Sequence, residues 1–138
     1  MKKQALRLAV LCIWVVFVAL HVSAQAKITV KVPFDFSISD KPFPAGLYAM
    51  SAAHERLIVQ DSDGKTVFIG TANQVSERRV GRTGMVVFHC YDARCFLSEL
   101  WTPTREGGSQ LLRSRSEAAM ARHREPTEFA LLEQPQPH

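Results

Sequence analysis

Cys90 and Cys95 have four residues between them in the stretch "MVVFHCYDARCFLSELW", with His89 and Ser98 just outside them. Two thiols, an imidazole and a hydroxyl so close together offer three chemistries: a crosslink, a metal site, or acyl transfer by an activated serine. Backbone geometry chooses among them. The flanking runs have the Val, Phe, Leu and Trp content of strands, and "YDAR" between them reads as a hairpin loop. A two-residue Asp92–Ala93 turn gives the same register. Cys90 then faces Cys95, Phe88 faces Leu97 and Val86 faces Glu99. Opposed residues in a non-hydrogen-bonded antiparallel pair have Cα atoms about 4.5–5.5 Å apart, within disulfide range. A Cys90–Cys95 disulfide is therefore expected. It closes a short loop, so it pins a hairpin and contributes about 2 kcal/mol.

The other two chemistries fit less well. The redox-active C-x-x-C spacing is absent. On a strand, His89 and Cys90 point to opposite faces, so a metal site of His89, Cys90 and Cys95 is not expected. In the register above, His89 and Ser98 share a face diagonally, and Asp92 completes a Ser–His–Asp trio. No G-x-S-x-G elbow accompanies them. A hydrolase using His89 and Ser98 stands only as an alternative, and His89 reads better as a half-buried histidine with a backbone partner. Asp35, Glu55 and Glu99 are not spaced as paired acid and base carboxylates. "DSDG" (Asp61–Gly64) lacks the remaining ligands of a calcium loop, and no glycine-rich phosphate loop or H-E-x-x-H occurs. No catalytic residue, cofactor or metal ligand is assigned. Tyr91 in the hairpin loop and Trp101 before Thr102–Pro103 are candidate exposed aromatics of a binding face.

The elements that would position these residues are strands. In "KITVKVPFDFSI" (Lys27–Ile38) every even position is apolar, the period of a strand with one buried face. Pro33 interrupts it. Proline cannot donate to a ladder, so it marks an edge or a bulge where the strand bends and serves two sheets. Pro42, Pro44 and Gly46 launch a strand from Leu47 to Ala52. "RLIVQ" and "KTVFIGT" flank "DSDG" as a hairpin, with Gly64 tolerating positive φ and Asp61 bonding the turn backbone. A polar connection, Ala72–Gly84, carries a basic cluster of Arg78, Arg79 and Arg82 that reads as a solvated loop. After the cysteine hairpin come a loop (Thr102–Ser109) and a short strand "QLLR". Ser114 with Glu117 three residues on fits a capping box for a helix near residues 115–124, and Pro126 bounds it. The pattern is all-β: an antiparallel sandwich or small flattened barrel of about six to eight strands with one short C-terminal helix.

Residues 1–24, or 1–26, read as a cleaved secretory signal. Lys2, Lys3 and Arg7 precede a thirteen-residue apolar run, Leu8–Leu20, shorter than the roughly 20 residues of a membrane span. "VSA" or "AQA" then supplies the small-residue cleavage site. Three of the 17 lysines and arginines lie in that segment and all 13 acidic residues follow it. The remainder is close to neutral, which gives nucleic acid no global electrostatic support. One β-rich domain over 27–125 and a flexible tail over 126–138 complete the layout.

The pieces "VPFDFSI…PAGLYAM", "MVVFHCYDARCFLSELW" and "SRSEAAMAR" resemble a group of small uncharacterised secreted β-rich proteins of acidobacterial type. The resemblance spans roughly residues 28–122, and its most specific pieces are the P-F-x-F…P-A-G-x-Y pair and the F-H-x-Y…F-L-S-E-x-W hairpin. It implies export and a compact β domain, and it brings no catalytic residues. The reading reached from the sequence is a secreted or periplasmic, non-enzymatic β domain. It would act by binding or structural association with a partner in the bacterial envelope or outside the cell, with no nucleic acid and no membrane span after cleavage. A small-ligand carrier with a barrel pocket is the first alternative.

Overall fold

A computed structural model of the chain describes residues 26–75, 83–103 and 107–135. The expected secretory signal up to Ala24, the arginine cluster at 78, 79 and 82, and the last three residues lie outside the described residues. Two sheets face each other. Sheet A is wholly antiparallel and contains β1 (Lys27–Val32), β4 (Gly46–Ala53), β5 (Arg56–Gln60) and β6 (Thr66–Thr71), in that order. Sheet B contains β2 (Phe36–Ile38), β3 (Lys41–Phe43), β7 (Asn73–Val75), β8 (Met85–Tyr91), β9 (Arg94–Trp101), β10 (Gly108–Gln110) and β11 (Thr127–Leu132). Its main path is β11-β8-β9-β10-β7. A single helix, α1 (Arg115–Ala121), follows β10.

The alternation in β1 sends Ile28, Val30 and Val32 into the core, each at most 1% exposed, and leaves Lys27 and Lys31 outside. Pro33 ends this edge strand, where a bend within one strand was expected, because it has no N–H for the ladder. The chain then crosses to the other sheet. Asp35 Oδ1 braces the crossing by accepting the Ala45 N–H at 2.9 Å. β2 lies parallel to β9, with Phe36 beside Cys95 and Ser37 beside Phe96. The proline thus marks the point where one alternating segment is divided between two sheets. This parallel pair is the one departure from the all-antiparallel expectation among the described strands. A second crossing takes one buried residue, Ala72, between β6 and β7, and its N–H donates to the Glu55 carbonyl at 2.9 Å.

The space between the sheets is filled. Phe36 packs against Phe43, Tyr48 and Phe88 with ring centroids 5.2–5.5 Å apart, the edge and offset geometries that aromatic quadrupoles favour. Phe88 is completely buried, and removing its ring would cost about 3–5 kcal/mol. The hairpin between β5 and β6 forms as its residues dictate. Gly64 has φ 79°, and Asp61 Oδ1 accepts the Asp63 and Lys65 N–H groups at 3.0 Å each.

Three expectations need correction. The two sheets do not close into a barrel, so the flattened-barrel option and the interior pocket it would have given to a carrier are not what this fold offers. There are eleven strands among the described residues, not six to eight, because β2, β3, β7 and β10 are three-residue pieces too short to read as strands. The segment expected as a flexible tail contains β11, which pairs along its whole length with Met85–Cys90 of β8. It is held by backbone bonds and by Phe129, whose ring meets Phe34 edge-on at 5.4 Å. Beyond it, the Gln134 N–H donates to the Thr29 carbonyl at 2.9 Å, touching the edge of β1.

Candidate functional site

Cys90 and Cys95 are directly opposed across β8 and β9, with Cα atoms 4.0 Å apart, and are joined by a disulfide. The two-residue turn is Asp92–Ala93, and Asp92 takes φ 55°, a conformation aspartate tolerates better than most side chains. The expected register holds from the turn as far as Phe88 and Leu97. It then slips by one residue: Val87 faces Glu99 and Val86 faces Leu100, not Glu99. Ser98 is the extra residue of this bulge. Its carbonyl accepts the Leu111 N–H at 2.8 Å, which ties the segment before α1 to the hairpin. The diagonal His89–Ser98 arrangement of the hydrolase alternative is therefore not formed.

His89 instead looks toward α1. The strand alternation puts Val87, His89 and Tyr91 on the outer face of sheet B, the face opposite Phe88 and the core. Ser114 caps the helix: its hydroxyl accepts the Glu117 N–H at 3.1 Å. This is half of a capping box. The Glu117 carboxylate does not complete it but turns down onto the sheet, where the residue is only 4% exposed. There Oε1 accepts the Tyr91 hydroxyl at 3.3 Å and lies 3.5 Å from His89 Nδ1. That nitrogen is buried and makes no hydrogen bond. Burial, together with the Glu117 charge, raises the Tyr91 phenol above its ordinary value, with Arg113 opposing. Tyr91 accordingly stays a neutral donor. It was expected as an exposed binding-face aromatic; at 4% exposure it is not, because α1 folds over it.

The turn between β2 and β3 reaches the same helix. Hydrogen bonding from the Ser114 hydroxyl, with further bonds from Ser116 and the charge of Arg94, holds the exposed Asp40 carboxyl below its usual range. Between α1 and the hairpin turn runs an open groove of about 760 Å³ with Asp92, Arg94 and Arg124 at its charged margin. Its cations are engaged: Arg124 pairs with Asp92 and Arg94 sits over the Phe96 ring at 5.5 Å. The second aromatic candidate, Trp101, is half-buried. Its Nε1–H donates to Glu99 Oε2 at 2.7 Å, and its ring lies so close over Gly108 that an added Cβ would meet it at 2.6 Å. The cluster beneath α1 holds the helix down and leaves no open acid–base pair.

The outer face of sheet A is different. Register places Lys27, Ser51, Ile58 and Ile69 in one row across the four strands, and Lys31 beside Leu47 in another. Ile69 is 61% and Leu47 41% exposed. Large aliphatic side chains this open on a flat sheet face are the feature sequence reading missed. The signal was present in "GLYAMSAA" and "TVFIGT", whose outward positions are small or apolar where a solvated face would be polar.

No three metal-ligating side chains gather among the described residues, and no helix there is long and apolar enough to cross a membrane. Comparison of the chain with protein-family models, with curated proteins and with solved structures gave no match.

Proposed function

We propose that this chain is an exported, non-enzymatic β domain that works by association with a surface in the bacterial envelope or outside the cell, through the outer face of sheet A. The observation that carries the reading is the exposure of Leu47 and Ile69 on a four-stranded face that no helix covers; on sheet B, α1 covers Tyr91 and Glu117, and Leu132 is open only on the edge strand β11. An exposed apolar patch on an otherwise well-packed domain marks a contact site more often than a solvated one. The Cys90–Cys95 disulfide suits an oxidising compartment, and residues 1–24, read as a secretory signal, supply the route there. Catalysis is disfavoured because His89 is committed to Glu117 and Ser98 to a bulge.

Two experiments test this. The chain is expressed in a bacterial host and the periplasmic product is sequenced from its N-terminus; a product beginning at Gln25 or Lys27 is expected, and an unprocessed cytoplasmic chain contradicts export. The exported protein is then mixed with washed envelopes and sedimented. Wild type should pellet with them, and Leu47→Asp and Ile69→Asp should stay in solution. Equal sedimentation of all three contradicts association through this face.

A further inference from the structure

We infer that the outer face of sheet A docks on an anionic lipid surface, an inference that rests on the association reading above and names the partner's chemistry. The four strands of sheet A carry no aspartate or glutamate at all. Their only charged residues are Lys27, Lys31 and Arg56, all three exposed and all on the outer face. Among the described residues none of the three makes an ion pair or a side-chain hydrogen bond. The acidic side chains nearest to them lie outside the strands: Asp35 in the crossing after β1, Glu55 in the turn before β5, Asp61 and Asp63 in the turn after it, and Glu133 where the chain beyond β11 meets the edge of β1.

The arrangement of these groups selects the partner. Lys27 and Lys31 line one side of the face along β1, and Arg56 stands near the far side at the start of β5. Between and beside them lie Leu47, Ala49, Ser51, Ile58 and Ile69. Neighbouring strands are about 4.8 Å apart, so the four-stranded face is about 14 Å wide. At its Arg56 end the face runs into an open hollow of about 1030 Å³ bordered by Ala53, Glu55, Ile58 and Gln74, and the rest of it is flat. A plane of unpaired cations around exposed aliphatics matches an interface in which phosphates lie level with the upper acyl chain. An acidic protein surface would answer the charges but not Leu47 and Ile69. Each lysine or arginine held at an anionic membrane strengthens binding by about fivefold, so three of them with two aliphatics make reversible, salt-sensitive attachment without any spanning segment.

The test uses the exported, leader-free, disulfide-bonded protein and flotation with phosphatidylcholine vesicles, with and without phosphatidylglycerol. Flotation should require phosphatidylglycerol and disappear near 1 M salt, where the screening length is about 3 Å. Lys31→Ala and Arg56→Ala should each weaken it about fivefold, Ile69→Ser should weaken it at fixed charge, and Arg122→Ala on the helix side should leave it unchanged. Melting curves confirm that these surface variants remain folded. Flotation that is absent, equal on neutral vesicles, or more sensitive to Arg122→Ala than to Lys31→Ala overturns the inference. Should envelopes still retain the wild-type protein while anionic vesicles do not, and protease treatment of the envelopes abolish that retention, the partner is a protein. The lipid inference then falls and the association reading stands. Failure to bind either preparation removes both.

Discussion

The Tyr91 hydroxyl donates to Glu117 Oε1 at 3.3 Å, linking the disulfide hairpin to the first turn of a helix 26 residues later. His89 Nδ1 faces the same oxygen at 3.5 Å. A seven-residue helix is marginal alone, so α1 depends on this contact and on its Ser114 cap for its place on sheet B. Replacing Glu117 with alanine strands the buried Tyr91 hydroxyl and removes the carboxylate beside the buried His89 ring nitrogen. The expected cost is about 1–3 kcal/mol in urea unfolding, with Glu117→Gln recovering part of it by keeping an acceptor. A Glu117→Ala loss within about 0.5 kcal/mol, the range of an ordinary surface change, would contradict the anchoring role.

The chain has two tyrosines, Tyr48 and Tyr91, and both phenols are pushed above the ordinary value of 10.0, chiefly by burial. Nearby carboxylates add to it: Asp61 and Asp35 for Tyr48, Glu117 for Tyr91. The folded state therefore prefers the neutral phenols. Their contribution to stability is complete below pH 10 and is lost as pH rises through the raised values. Ultraviolet titration of the native protein should show no phenolate step near pH 10, only a later one accompanied by unfolding. A reversible step near 10 with the fold intact would show the phenols to be solvated.

Asp40 gives the opposite sign. Its carboxyl lies below the usual 3.8, first through the Ser114 hydroxyl. The stabilisation is complete above that usual value and is lost as pH falls through the lowered one. Melting temperature measured between about pH 5 and 2, the span in which such a carboxylate titrates, should fall less steeply for Asp40→Asn than for wild type. Identical acid limbs would mean that Asp40 does not hold the helix start.

The disulfide closes a short loop between two strands that already pair through seven registered positions. Reduction, or Cys90→Ser with Cys95→Ser, should lower stability by about 2 kcal/mol and leave the β circular-dichroism signal intact. Mass spectrometry of the unreduced exported protein should show the two-hydrogen deficit. Free thiols there, or complete unfolding on reduction, would contradict the role of a local pin.

What could be read from the sequence follows from how local each cause is. The alternation of Ile28, Val30 and Val32, the Asp61–Gly64 turn, the break at Pro33 and the Cys90–Cys95 opposition depend on neighbours in the chain, and each was legible. The slip at Ser98 was not, because one extra residue in a strand leaves the composition unchanged. β11 was hidden for another reason. It is an exposed edge strand held by backbone bonds to β8, so its side chains show no buried alternation. Glu117 was legible only by half: the spacing from Ser114 explains its N–H, while the burial of its carboxylate depends on a hairpin far away in the chain. Tyr91 was misread because a loop-end aromatic looks exposed until a distant helix covers it.

Protection of individual lysines in the presence of envelopes tests the central claim most directly. The exported protein is acetylated in pulses, free and envelope-bound, and each lysine is quantified by mass spectrometry. Lys27 and Lys31, which project from the outer face of sheet A, should lose reactivity on binding, while Lys65 in the turn beyond β5 keeps it. Unchanged reactivity at Lys27 and Lys31 in a sample that has demonstrably bound would contradict the account, because contact would then lie elsewhere on the molecule.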